Sequence, residues 1–201
     1  MSGWSGMPGM DLNRRPLMVA LAGPNGAGKT TFYYAHLQLA GLRFVNADVV
    51  ARELRLEPYA AARLAGRIRS ELVIQRESFV FETVFSDPVG EKLAFIRDTA
   101  QGGYNTILCF IGTAGPEVSG DRIAMRVLQG GHDVPPQKVV ERFPRILANL
   151  KAAMAELPNV LVFDNNDLTR PFRLVAVVQN GRVMKLQKPV PRWLSPLLPG
   201  S

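Results

Sequence analysis

Gly23-Pro24-Asn25-Gly26-Ala27-Gly28-Lys29-Thr30 follows directly on the apolar run Leu17-Met18-Val19-Ala20-Leu21-Ala22, and it fills every position of the pattern G-x-x-x-x-G-K-[ST]. The run reads as a strand and Thr31 to Leu37 as a helix, which is the setting this pattern requires. Its glycines let backbone N–H groups curl round phosphate oxygens, and the helix that follows directs its positive end at the anion. Lys29 can reach β- and γ-phosphates, and Thr30 can offer its hydroxyl to Mg²⁺. The spacing therefore predicts a nucleoside triphosphate site. Gly23, Pro24, Asn25, Gly26, Ala27, Gly28, Lys29, Thr30 and Thr31 would hold the nucleotide, with Thr30 on the metal.

Outward from this loop, strand and helix alternate. Gly41 ends the first helix, and Leu42 to Asn46 reads as a second strand that stops at Ala47-Asp48. Helical spacing follows over Val49–Leu54 and Ala60–Arg76, with Pro58 between them. Ser78–Phe85 reads as a third strand, and a helix is expected from Asp87-Pro88 to about Ala100. Thr106 to Ile111 has the unbroken apolar character of a central strand covered on both faces. Two helices, Pro116–Gln129 and Gln137–Glu156, are joined by Gly130-Gly131-His132-Asp133-Val134-Pro135-Pro136 and are predicted to form a lid. Val160–Asp164 is the next strand. Phe172–Gln179 and Arg182–Leu186 flank Asn180-Gly181 and read as a hairpin.

This order predicts an α/β three-layer sandwich: a mostly parallel sheet, helices on both faces, a helical lid and a carboxyl-terminal β-hairpin. The 201 residues suit one domain, expected over 17–188, with 1–16 a flexible leader and 189–201 a Pro-rich tail trailing over the surface. With 47% apolar residues the chain can build a core without disulfides, and the single Cys109, inside an apolar run, reads as packing rather than as a thiol nucleophile. No stretch has the length of a membrane span or the form of a secretory signal, so a cytoplasmic location is expected. The formal charge is +7, and from Leu168 to Ser201 no acidic residue accompanies six basic ones, among them Arg170, Arg173 and Lys185. That segment suits a solvated basic edge, an acidic protein partner or nucleic acid; no nucleic-acid-binding motif supports the last.

Ligands of such sheets sit at the strands' carboxyl ends, where Lys29, Thr30, Asp48, Glu82 and Asp164 all fall. Phosphoryl transfer needs phosphates held in line, charge neutralised and an acceptor hydroxyl oriented. Asp48 is placed to be the acceptor's proton base, or to cap the helix that begins at Val49, or both. Glu82 is placed to hold a metal-bound water or to grip acceptor hydroxyls, with Thr83 adding a hydroxyl; otherwise it is an exposed strand end. Guanidinium groups suit a phosphoryl group in flight, and two pairs at helical spacing, Arg122 with Arg126 and Arg142 with Arg145, could converge from the lid. Arg126 and Arg142 are the catalytic choices, Arg122 and Arg145 the nucleotide-binding ones. His36, inside the first helix, reads as structural, and His132 is placed either to touch substrate or to stabilise its turn.

Taken together, the phosphate loop, Asn46-Ala47-Asp48, Phe81-Glu82-Thr83, and Arg122-Ile123 with Arg126-Val127 before Gly130-Gly131-His132-Asp133-Val134-Pro135 resemble the zeta-toxin kinase family from about Leu17 to Leu186. The resemblance implies a P-loop kinase that phosphorylates a sugar nucleotide such as UDP-N-acetylglucosamine with ATP and is neutralised by an antitoxin. It assigns Lys29 and Thr30 to phosphate and metal, Asp48 to the base, Glu82 to the acceptor and the basic residues following the Gly-Gly-His turn to a phosphate clamp. Asp164-Asn165-Asn166 resembles the family's Asp-Asn-Ser element with Asn166 in place of serine.

Overall fold

A computed structural model describes residues 13–128 and 135–199. Seven strands form one sheet in the order β2-β3-β1-β4-β5-β6-β7. They are β1 (Leu17–Ala22), β2 (Arg43–Val45), β3 (Phe79–Thr83), β4 (Asn105–Gly112), β5 (Asn159–Asp164), β6 (Arg173–Gln179) and β7 (Arg182–Leu186). The first five run parallel and β6 and β7 are antiparallel additions at one end. Every residue of β1 is buried, as a strand clothed on both faces requires. Ala22 pairs with Thr83 on one side and Phe110 on the other, so β1, β3 and β4 bring their carboxyl ends to one edge.

Alternation along β1 sorts the core into two layers. Met18, Ala20 and Ala22 face α3 (Pro58–Ile74), α4 (Glu91–Gln101) and α6 (Pro136–Glu156), sharing a cluster with Ala65, Leu72, Leu93, Ile96, Ile146 and Leu150. Leu17, Val19 and Leu21 face the helical segment that starts at α1 (Lys29–Phe32), through Phe32, Tyr33 and Leu37. This segment is not the regular helix expected over Thr31–Leu37. It widens to a π turn at Tyr33–Leu37, tightens over Gln38–Ala40, and ends at Gly41 with φ 66°. Stacking of Tyr33 on Phe44, 3.7 Å between centroids, accompanies the widened turn.

Other boundaries moved for local reasons. The helix expected from Val49 is α2 (Ala47–Leu54), because Asn46 takes the cap. Pro58 is the first residue of α3 rather than a break before it, where its missing N–H costs nothing. The helix expected from Asp87 starts at Glu91, after Gly90 at φ 72°. The lid helices α5 (Pro116–Leu128) and α6 are both present; the connection holding Gly130, Gly131 and His132 lies outside the described residues. Asn180 and Gly181 both take positive φ, as the hairpin turn demands.

The tail departs most from expectation. Trp193 and Leu194 are buried in the first core layer instead of trailing over the surface. Gly112, at the end of central strand β4, makes the slot: a Cβ there would overlap the Trp193 ring. The sequence shows an apolar pair among prolines but not the slot that receives it.

Candidate active site

The phosphate loop leaves β1 through Gly23, whose φ of 141° suits glycine alone and whose Cβ would run into the Ile111 carbonyl of β4. It closes at Gly28, φ 92°, where a Cβ would stand 2.8 Å from the Asn165 amide nitrogen. Inside the loop, the Ala27 N–H donates to the Pro24 carbonyl at 3.2 Å. Asn165 braces it from outside, donating from Nδ2 to the Ala27 carbonyl at 2.8 Å.

Glu82, next to last in β3, is where the edge residues meet. Its Oε2 accepts from the Thr30 hydroxyl and from Asn46 Nδ2, both at 2.8 Å, and its Oε1 lies 3.7 Å from Lys29 Nζ. Lys29 Nζ also donates to the Pro24 carbonyl at 2.9 Å. The alternative of an exposed strand end is therefore excluded for Glu82: its side chain is 14% exposed, and that of Lys29 5%. A carboxylate this sheltered needs the cation and donors around it.

Asp48 sits in the first turn of α2. Asn46, not Asp48, is the cap: its Oδ1 accepts from the Asp48 N–H at 2.7 Å and the Val49 N–H at 3.3 Å. The exposed Asp48 carboxylate has no hydrogen-bond or ion-pair partner among the described residues. Asn46 thus joins the helix carrying Asp48 to the carboxylate that joins Lys29 and Thr30. Thr83 is engaged locally, its hydroxyl accepting from the Phe85 N–H at 3.1 Å and shaping the turn after β3. Thr31 points to solvent.

Of the four lid arginines, Arg122 lies against the loop, its Cβ 3.4 Å from where a Gly26 Cβ would stand. Its Nη2 donates to the Asn166 carbonyl at 3.2 Å, while Nη1 is buried with no hydrogen-bond partner among the described residues. Burial pushes its pKa down, against the pull of Asp164. The Arg126 side chain lies outside the described residues. Arg142 is half-buried and Arg145 exposed; with Asn149 they share one face of α6. Asn149 Nδ2 donates to the carbonyls of Phe85 and Asp87 at 3.0 Å each, so that face continues from the loop after β3.

Cys109 is fully buried and its thiol pKa is pushed up by burial, as packing requires. Sequence reasoning gave no role to Asn46, Asn165 or Trp193. An Asn directly before a helical pattern is itself a capping signal and could have identified Asn46. The other two make contacts across the sheet that no local pattern encodes.

The Zeta toxin family model matches residues 58–173. The chain belongs to the Zeta toxin family. The matched span holds Glu82, Thr83 and the four arginines and begins beyond the phosphate loop and Asp48. Solved structures show the same architecture. A chain of the AvrRxo1-ORF1:AvrRxo1-ORF2 complex with sulphate ions is 19% identical with a TM-score of 0.57, over 88% of this chain and 62% of that one. The same pair solved with ATP gives 0.56 and 19% over 87% and 61%. This chain thus spans less than two thirds of those relatives' length. A structure from the PezAT chromosomal toxin-antitoxin system of Streptococcus pneumoniae gives 0.60 at 15% identity over 81% and 72%. A gluconokinase from Sinorhizobium meliloti gives 0.51 at 19% over 79% and 86%. No curated protein sequence matches the chain. The Zeta toxin chain therefore has a kinase-type nucleotide-binding fold.

Proposed function

We propose that this Zeta toxin family member is an ATP- and Mg²⁺-dependent kinase that transfers the γ-phosphate to a hydroxyl of a sugar nucleotide, UDP-N-acetylglucosamine being the leading acceptor. The observation that carries this is the junction at Glu82, where the phosphate-loop lysine and threonine and the cap of the Asp48 helix meet on one carboxylate.

The donor set suits Mg²⁺. That ion takes one or two protein oxygens and fills its remaining positions with phosphate and water. Thr30 Oγ1 and Glu82 Oε2 stand together at 2.8 Å, and the described residues hold no cluster of three or more acidic, His or Cys side chains that would make a protein-only cage. When bound, the ion would draw charge from the phosphate oxygens being separated.

The chain's own groups do the rest. Lys29, with three N–H donors, can turn from Glu82 and the Pro24 carbonyl to a phosphate oxygen without leaving its pocket. Arg122 Nη1, which has no partner among the described residues, can satisfy itself on the same anion, and Arg142 and Arg145 can reach it from α6 once the lid closes. Arg126 belongs to the same helix as Arg122 and keeps its place as a clamp residue. Asp48, open to solvent, accepts the acceptor hydroxyl's proton, while Glu82 and Thr83 orient the acceptor. Action as a toxin, with an antitoxin as partner and the cytoplasm as its place, belongs to the same reading; no helix among the described residues is long and apolar enough to cross a membrane.

The full chain incubated with labelled ATP and a panel of sugar nucleotides, nucleosides and small metabolites should yield one phosphorylated species identified by mass. Lys29→Ala should abolish it. Undiminished turnover in that variant would remove the phosphate loop from the reaction, and phosphorylation of a different metabolite would replace the acceptor while keeping the kinase.

A further inference from the structure

Beyond residue 173, where the family match ends, the chain returns to the sheet's carboxyl edge. Arg173 Nη2 donates to the Pro189 carbonyl at 3.0 Å, holding the start of the returning segment. Four residues on, the Trp193 indole fills the slot above Gly112 and its Nε1 donates to Asp164 Oδ1 at 2.9 Å. Asp164 Oδ2 lies 3.6 Å from Arg173 Nη2, so both carboxylate oxygens are engaged.

Asn165 comes next and is 4% exposed. Its N–H donates to the Gly112 carbonyl at 2.9 Å, its Oδ1 accepts from the Phe172 N–H at 3.2 Å, and its Nδ2 reaches the Ala27 carbonyl of the phosphate loop. The indole thus holds both anchors of Asn165: the residue before it, and the glycine that its backbone grips. Asp164 also acts electrostatically on Arg122, so where its carboxylate points bears on the guanidinium beside the loop.

We propose that Trp193 is a positioning residue for the phosphate loop. The carboxyl-terminal segment straps the ends of β4 and β5 and, through Asp164 and Asn165, keeps the loop in the shape that receives phosphate. A loop ordered beforehand does not have to be ordered at the moment of binding, so the strap acts on nucleotide affinity more than on the chemical step. Its effect on nucleotide rests on the kinase reading above; its effect on the loop does not.

Trp193→Phe keeps a ring over Gly112 and removes the N–H. In the full-length, ligand-free protein, amide hydrogen exchange at residues 25–30 should speed by about tenfold while β1 stays protected, since a hydrogen bond to a charged group contributes about that factor or more. The ATP Kd should rise about five- to tenfold by the same reasoning, with kcat at saturating ATP within about twofold of wild type. Asp164→Asn, which retains an acceptor oxygen for the indole, should show a smaller change in both. Unchanged exchange at 25–30 in a folded Trp193→Phe protein overturns the proposal, as does a uniform rise that includes β1 and β4. Faster loop exchange in a protein that binds no ATP would support the strap and refute the kinase reading.

Discussion

Replacing Glu82 tests whether one carboxylate organises the site. In Glu82→Ala, Lys29 keeps the Pro24 carbonyl but loses its counter-charge, and Thr30 Oγ1 and the 4%-exposed Asn46 lose their acceptor. Breaking a buried ion pair from one side costs about 3–5 kcal/mol. The pair distance of 3.7 Å and the surviving Pro24 contact place this case at the lower end, about 3 kcal/mol. For a chain of this size that is a fall in Tm of about 6–12 °C. Glu82→Gln keeps the shape and one acceptor oxygen, so about 1–2 kcal/mol, or about 2–8 °C, is expected. Turnover should fall in both by on the order of 10²-fold or more, because the group that places Lys29 and Thr30 is gone or neutral. Scanning calorimetry, ATP titration and a phosphorylation assay read the three quantities. Glu82→Ala melting within about 2 °C of wild type would refute the junction as a structural unit. Glu82→Gln with wild-type turnover would refute it as a chemical one.

Asp48 should behave in the opposite way: as an exposed carboxylate without a partner, Asp48→Asn should leave Tm within about 2 °C while turnover drops about 10²-fold or more with ATP affinity kept, and a stability loss without a rate loss would make it structural. Gly112→Ala places a methyl group in the Trp193 ring and should cost about 1–3 kcal/mol in chemical denaturation, a cost that shrinks in a Trp193→Leu background; equal costs in both would put the strain elsewhere. His36 is exposed on one side and packs its ring against Phe32 and Phe172, and this partial burial lowers its pKa, so between the lowered value and about 6.5 the unfolded chain binds more protons and stability rises with pH. Wild type should therefore lose more stability than His36→Gln between pH 7 and pH 5, and parallel losses would show that His36 contributes nothing to acid sensitivity.

The phosphate loop was legible because its chemistry is local: eight consecutive residues fix glycine conformations, a lysine reach and a helix start. The same holds for the β4 core run and for the Asn180-Gly181 turn, whose backbone demands are met within a few residues. The mostly parallel sheet was legible in outline, since alternating strands and helices permit few arrangements, but not its strand order, in which β3 rather than β2 lies beside β1. The Glu82 carboxylate could be placed at the right edge from sequence but not given its partners, because Lys29 and Thr30 reach it from the start of α1 and Asn46 from beyond β2, across 53, 52 and 36 positions of chain.

What the sequence alone determined is the class of fold and the sheet edge to which Lys29, Thr30, Asp48 and Glu82 belong, all carried by short-range pattern. Only the tertiary structure decided that Asn46 rather than Asp48 caps α2, that Arg122 lies against the loop, and that Trp193 and Leu194 are packed rather than loose. Each of those depends on a space between elements distant in sequence, and the clearest is the missing side chain at Gly112, which becomes a binding slot for Trp193 only when β4 and the chain's end meet.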